Sequence, residues 1–180
     1  MLHVALLRGI NVGGKNIIPM AALAQCFVTM KYASVKTFIA SGNVIFDAPK
    51  QNLRKLEEKL EMALQLAFNY DAKVVVKSKP EYEAIVKAVR TSWKKPSPAI
   101  RYYVVFLRHA IDSKMILDQV PARAGVETLT YAPGALLWAA KKTIGGKSTV
   151  ARKLLARSIY QDITIRNLNT TLKLGAMISA

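Results

Sequence analysis

The side chains best suited to holding an anion fall into two groups in this 180-residue chain. In the first, Arg8 and Asn11 lead into Gly13, Gly14 and Lys15, and Ser41 and Asn43 bracket Gly42. In the second, Lys147 and Ser148 follow a glycine pair, and Arg166 and Asn167 follow Thr164 and Ile165. Guanidinium and ammonium groups make charge-assisted hydrogen bonds to carboxylates and phosphates, and amides and hydroxyls add neutral donors. Residues 1–46 carry Arg8, Lys15, Lys31 and Lys36 without one acid. A buried Arg8 would therefore lack a partner nearby in sequence, and an external anion would supply one. The same residues have a structural reading, because Asn and Gly satisfy turns and Asn167 or Asn169 suits a helix cap.

Neither glycine loop is a nucleotide-hydrolase loop. Gly9, Gly14 and Lys15 match the G-x-x-x-x-G-K spacing after a strand, but Asn16 stands where a magnesium-binding Ser or Thr is needed. Pro19 also delays the helix whose amino terminus would cradle phosphates. Gly145-Gly146-Lys147-Ser148 has Lys141 in place of the first glycine, yet it precedes a helix and could offer amides to an anion. Metal and covalent chemistry are poorly provided for. Cys26, His3 and His109 are too few for a zinc site, and no Ser-His-acid order or paired carboxylates appear. Neither a metal nor a cofactor is expected, and Cys26 reads as a small core residue of a helix.

The elements that must position these groups follow from periodicity. Leu2–Leu7 reads as a buried strand, 20–31 as a helix, and Val35–Ala40 with Val44–Phe46 as a hairpin turned at Ser41-Gly42-Asn43. Residues 52–67 align Leu53, Leu56, Leu60 and Leu64 on one helical stripe, with Glu57, Glu58 and Glu61 among Arg54, Lys55 and Lys59 on a solvated face. Residues 72–76 form a strand. Ser78-Lys79-Pro80-Glu81 starts a connecting helix as a capping box, and 92–98, with two prolines, is a linker. The pattern then repeats as strand 100–107, helix 111–120, strands 126–132 and 136–140 around Pro133-Gly134, helix 150–160, strand 163–166 and a final helix 168–178. The fold class is therefore α+β, two ferredoxin-like βαββαβ units in tandem with antiparallel sheets and a C-terminal helix. The first unit covers 1–77, the connecting helix and linker 78–99, and the second unit 100–180. In that plan the carboxyl end of the first strand meets the first hairpin, joining Arg8, Asn11, Gly13, Gly14 and Lys15 to Ser41 and Asn43. A matching corner of the second unit gathers Lys147, Ser148, Arg166 and Asn167.

Composition bounds the partners. With 27 Lys and Arg against 11 Asp and Glu the formal charge is +16, and 52% of residues are apolar. That apolar share excludes a disordered polyelectrolyte, while the charge favours nucleic acid or another polyanion and also serves solubility. A lone cysteine, an amino terminus with no basic leader before its short apolar run, and the lack of a long apolar run lead to the expectation of a soluble, cytoplasmic protein without a membrane partner. Tyr102, Tyr103, Phe106 and Trp138 invite comparison with RNA-recognition sheets, but the RNP aromatic signature is missing and core packing is the expected role.

The stretches Ala5-Leu6-Leu7-Arg8-Gly9-Ile10-Asn11-Val12-Gly13-Gly14-Lys15-Asn16 and Val35–Phe46, together with Thr164–Thr170, resemble the bacterial domain-of-unknown-function 1697 family. The likeness implies an α+β protein of two ferredoxin-like units and implies no activity, substrate or catalytic residue. Leu168 stands where that family usually has Trp. Three readings of function follow. The first is a nucleic-acid or polyanion-binding module with Arg8, Lys15, Lys147 and Arg166 on phosphates. The second is a small-molecule protein or enzyme that holds a phosphorylated or carboxylated metabolite with Arg8, Asn11, Ser41 and Asn43. The third is an interaction scaffold whose motifs are structural.

Overall fold

Strand β1 (Leu2–Arg8) has interior residues buried one after another rather than alternately, the mark of a strand covered on both faces. Its outer face carries α1 (Met20–Thr29) and α2 (Leu53–Phe68), which place Leu23, Phe27, Leu56, Leu60 and Leu64 on Ala5 and Leu7. Strands β2 (Ala33–Phe38), β3 (Asn43–Asp47) and β4 (Lys73–Ser78) complete a four-stranded antiparallel sheet in the order β2-β3-β1-β4. Helix α3 (Lys79–Ser92) follows β4 directly, with Glu81 reaching back to accept the Ser78 N–H at 2.8 Å. This structure is a computed structural model, and it describes residues 1–14, 16–143, 148–155 and 158–180.

The second half repeats the scheme. Strands β5 (Ile100–Leu107), β6 (Glu127–Ala132), β7 (Ala135–Lys141) and β8 (Ile163–Asn167) form a second antiparallel sheet in the order β6-β7-β5-β8. Helix α4 (Ile116–Gln119), helix α5 (Thr149–Leu155) and a 3₁₀ turn (Ser158–Asp162) lie on its outer face, burying Ile116, Val150, Leu154 and Ile159 against Val105, Leu107 and Leu136. Helix α6 (Leu168–Ser179) closes the chain. The protein is thus a mixed α+β chain with two four-stranded antiparallel sheets and, among the described residues, six α-helices.

One core joins the halves. The inner faces of both sheets contribute Val4, Leu6, Val75, Val104 and Phe106, and α3 and α6 fill the seam with Tyr82, Ile85, Val89, Leu174 and Ile178. The helices approach closely at Gly175, where a Cβ would stand 2.7 Å from a Val86 methyl.

Some expectations shift. The helix expected over 111–120 is a single turn, because Asp112 instead accepts the Tyr131 hydroxyl and the Gly134 N–H, both at 2.9 Å. Of the helix expected over 150–160, the described residues show α5 at Thr149–Leu155 and a 3₁₀ turn at Ser158–Asp162. Strands β2 and β3 separate after the Phe38–Asn43 pair, so residues 39–42 make the turn. Gly42 has φ +73°, and a Cβ there would lie 2.8 Å from Leu7 Cβ and Ile10 Cδ1. Only glycine fits that approach of the turn to β1.

Candidate anion-binding surface

Arg166 joins the first corner to the second sheet, but the second corner expected from the sequence does not assemble. Arg166 and Asn167 lie on β8, whereas Ser148 lies against Glu127 of β6 at the opposite edge of that sheet. Arg166 sits opposite Val104 and is only 8% exposed. Its Nε donates to Asn43 Oδ1 at 2.6 Å, Nη1 to Thr164 Oγ1 at 2.8 Å and Ile165 O at 2.9 Å, and Nη2 to Leu7 O and Ser41 O, both at 2.8 Å. Burial lowers its pKa to about 10, so it remains a cation at neutral pH. Its acceptors are neutral oxygens, and all five N–H groups are engaged. Arg166 therefore has no free donor for a phosphate. Asn43 is likewise satisfied, its Nδ2 donating to Phe38 O at 2.9 Å and Ser41 Oγ at 3.0 Å.

Asn11 clamps its own loop. Its Nδ2 donates to Ile18 O at 3.0 Å and Ala40 O at 2.8 Å, and its Oδ1 accepts the Ile18 N–H at 2.8 Å. Gly13 and Gly14 are exposed at φ +59° and +73°, with open space around both. Arg8 stands apart from the hairpin contacts. Its Nη1 donates to Tyr160 O at 3.3 Å, its guanidinium lies 4.7 Å from the Tyr160 ring centre, and Tyr70 Oη donates to its carbonyl. The half-buried Arg8 has no carboxylate of the described residues within ion-pair distance, and its Nε has no partner among them. Lys15 and Lys147, with Gly145 and Gly146, lie outside the described residues.

The amino terminus of α5 already holds a carboxylate of this chain. Glu127 Oε1 accepts the N–H groups of Thr149 at 2.9 Å and Val150 at 3.0 Å, and Oε2 accepts Ser148 Oγ at 2.6 Å. Burial works against that charge, but the donors of Ser148, Val150, Arg123 and Trp138 outweigh it and hold Glu127 below the usual carboxylate range. Ser148 also caps α5 by accepting the Ala151 N–H at 2.9 Å, and Asn167 caps α6 by accepting the Thr170 N–H at 2.8 Å. Both residues act here as helix caps.

A second charge cluster escaped the sequence. Strand β4 is an edge strand, and three glutamates satisfy its outward N–H groups: Glu61 accepts Val74 at 2.9 Å, Glu57 accepts Val76 at 3.0 Å and Glu81 accepts Ser78 at 2.8 Å. The loop after β5 locks onto them. Arg108 reaches Glu57 at 3.5 Å, and Glu61 and Asp162 at 3.3 Å. His109 bridges Glu57 at 3.2 Å and Glu81 at 3.0 Å. The solvated-face reading of Glu57, Glu58 and Glu61 holds for Glu58 alone, since Glu57 is fully buried and Glu61 half-buried. The available signal was position: Glu57 and Glu61 are four apart and border the Leu56, Leu60, Leu64 stripe. The Glu57 and Glu81 carboxylates raise His109 to about 9. Burial opposes the Glu81 charge, but the hydrogen bonds from His109 and Ser78 outweigh it and hold Glu81 down at about 2. Beside them Lys77 is fully buried, its Nζ without a hydrogen-bond partner among the described residues, and burial lowers its pKa.

The acids are thus committed internally. Among the described residues every Asp and Glu except Glu58 and Asp118 has a side-chain hydrogen bond or ion pair inside the chain. Of the described Lys and Arg side chains, Lys73, Lys79 and Arg108 lie within ion-pair distance of an acid. Exposed cations such as Lys36, Arg54, Lys87, Arg90, Arg101 and Lys141 have no such partner. No helix among the described residues is long and apolar enough to cross a membrane.

The whole architecture recurs elsewhere. A conserved bacterial protein from Streptococcus pneumoniae of known structure is similar at 28% sequence identity, with a TM-score of 0.84 and 98% of each chain covered. No curated protein matches the chain. Residues 1–138 match the family model described as a protein of unknown function, and the chain belongs to that family, DUF1697.

Proposed function

We propose that the protein binds polyanions, nucleic acid foremost, through surface cations that its own acids leave uncompensated. The observation that carries this reading is the internal commitment of nearly all carboxylates, three of them on the β4 edge and one at α5, while the exposed Lys and Arg face solvent alone. With a formal charge of +16, the exposed and unpaired share of these cations attracts phosphates and raises association rates. The scaffold in this reading is a pair of ferredoxin-like units, 1–77 and 100–180, joined by 78–99. The antiparallel order second-third-first-fourth in both sheets supports it. The cytoplasm is the proposed setting, where a lone Cys26 stays reduced.

Arg8 supports a second reading, a phosphorylated or carboxylated metabolite at the first corner. Its guanidinium is half-buried on Tyr160, and no carboxylate of the described residues pairs with it. The ultraviolet and native mass spectra of protein purified at low salt test both readings. Bound oligonucleotide is expected on the first, and a stoichiometric small anion lost in Arg8→Ala on the second. Protein that carries neither and ignores added oligonucleotide contradicts both.

A further inference from the structure

The inner face of the second sheet is only partly covered. Sheet β2-β3-β1-β4 and helices α3 and α6 bury Val104, Phe106 and Leu137, but beyond them the face opens. Register identifies what lies there. Tyr102 pairs with Ala139, Thr128 with Ala139, Thr130 with Leu137, and Lys141 with Ile100. All share the face of Leu137. They line a groove of ≈ 530 Å³ together with Trp93, the residue that ends α3, whose ring lies 4.9 Å from that of Tyr102 at 56°. A second groove of ≈ 510 Å³ lies on the other side of Tyr102, against Arg101, Pro96, Pro98 and Asn169.

The electrostatics around the two grooves are one-sided: Lys141 shares the face of Tyr102, while Arg101, adjacent to Tyr102 in β5 and so on the other face, lines the second groove at the sheet edge. Arg101, Lys141 and Lys142 are exposed, and the Lys142 N–H donates to Ala99 O at 2.9 Å, which brings the end of β7 beside the linker that carries Lys94 and Lys95. The one acid lining either groove is Glu127, and both its oxygens are committed to Ser148, Thr149 and Val150. A strand face with two aromatic rings, threonine hydroxyls and unpaired cations at its margins is the arrangement that holds unpaired bases by stacking and the backbone by charge. A duplex keeps its bases stacked inside and offers no ring to Tyr102.

The geometry points to the Trp93–Tyr102 grooves as a binding track for single-stranded nucleic acid, with bases against these two rings and phosphates at Arg101 and Lys141. This rests on the polyanion reading above and names the ligand class and the place. The test is fluorescence anisotropy with a labelled oligothymidylate of about twelve nucleotides and the duplex of the same length, with tryptophan emission followed in parallel. Single strands should bind at least about tenfold tighter than duplex and quench tryptophan emission, and Tyr102→Ala should remove most of that preference while Tyr102→Phe keeps it. Thr130→Glu, an exposed change on β6, should also weaken single-strand binding with the melting temperature unchanged, and it decides the matter if Tyr102→Ala does not fold. Equal binding of both forms, indifferent to Tyr102→Phe, Tyr102→Ala and Thr130→Glu, overturns the track and leaves the general polyanion reading standing. Binding of neither form overturns both.

Discussion

Arg166 shows how a buried cation can be stable without a buried anion. Five neutral acceptors, from β1, the first hairpin and β8, take its five N–H groups, and the guanidinium plane fixes where the two halves meet. Arg166→Met would leave Asn43 Oδ1 and the Leu7 and Ser41 carbonyls in a dry seam with no donor, a loss of about 3–5 kcal/mol, comparable with breaking other buried charge contacts. Urea unfolding should show it as a lower midpoint. Arg166→Lys should recover little, because one ammonium supplies three donors from a single point in place of a planar fork. The sequence marked Arg166 and Asn43 as polar residues at strand ends, and the structure places them in contact. Their distance apart in the chain hid that contact, since a long-range hydrogen bond leaves no local pattern.

At the scale of elements, the β4 edge illustrates a second kind of hidden contact. An edge strand leaves alternate N–H groups without a sheet partner, and here carboxylates from α2 and α3 take them. Arg108 and His109 then tie that edge to the second half. This joint sets a pH dependence with a definite sign. His109 is raised from 6.5 to about 9 in the folded protein, so its stabilisation is fully present below 6.5 and is lost as pH rises through about 9. Glu81 is lowered from 4.5 to about 2, so its contribution is present above 4.5 and is lost as pH falls through about 2. Urea midpoints of wild type and His109→Gln should therefore differ at pH 6 and converge by about pH 10. A difference that persists at high pH would mean that the imidazolium is not the stabilising form. The strongly periodic elements, α2 and α3 among them, were legible because their apolar stripes are local. The extent of α4 was not, since Asp112 settles it through the Tyr131 hydroxyl and the Gly134 N–H, far along the chain.

For the molecule as a whole, charge and fold are one problem. The chain uses its few acids to cap a strand edge, start a helix and join its halves, and among the described residues exposed cations such as Lys36, Arg54, Lys87, Arg90, Arg101 and Lys141 are left without an acid at ion-pair distance. Such a surface repels itself, and phosphate-bearing chains relieve that repulsion while releasing the salt ions condensed on them. The affinity of the intact protein for a labelled single-stranded oligonucleotide, titrated across potassium chloride concentration, tests this most directly. A log–log slope of about −0.7 for each phosphate contacted, amounting to several units in total, is the expected result. A flat response to salt would contradict the account, because binding would then owe nothing to the uncompensated charge.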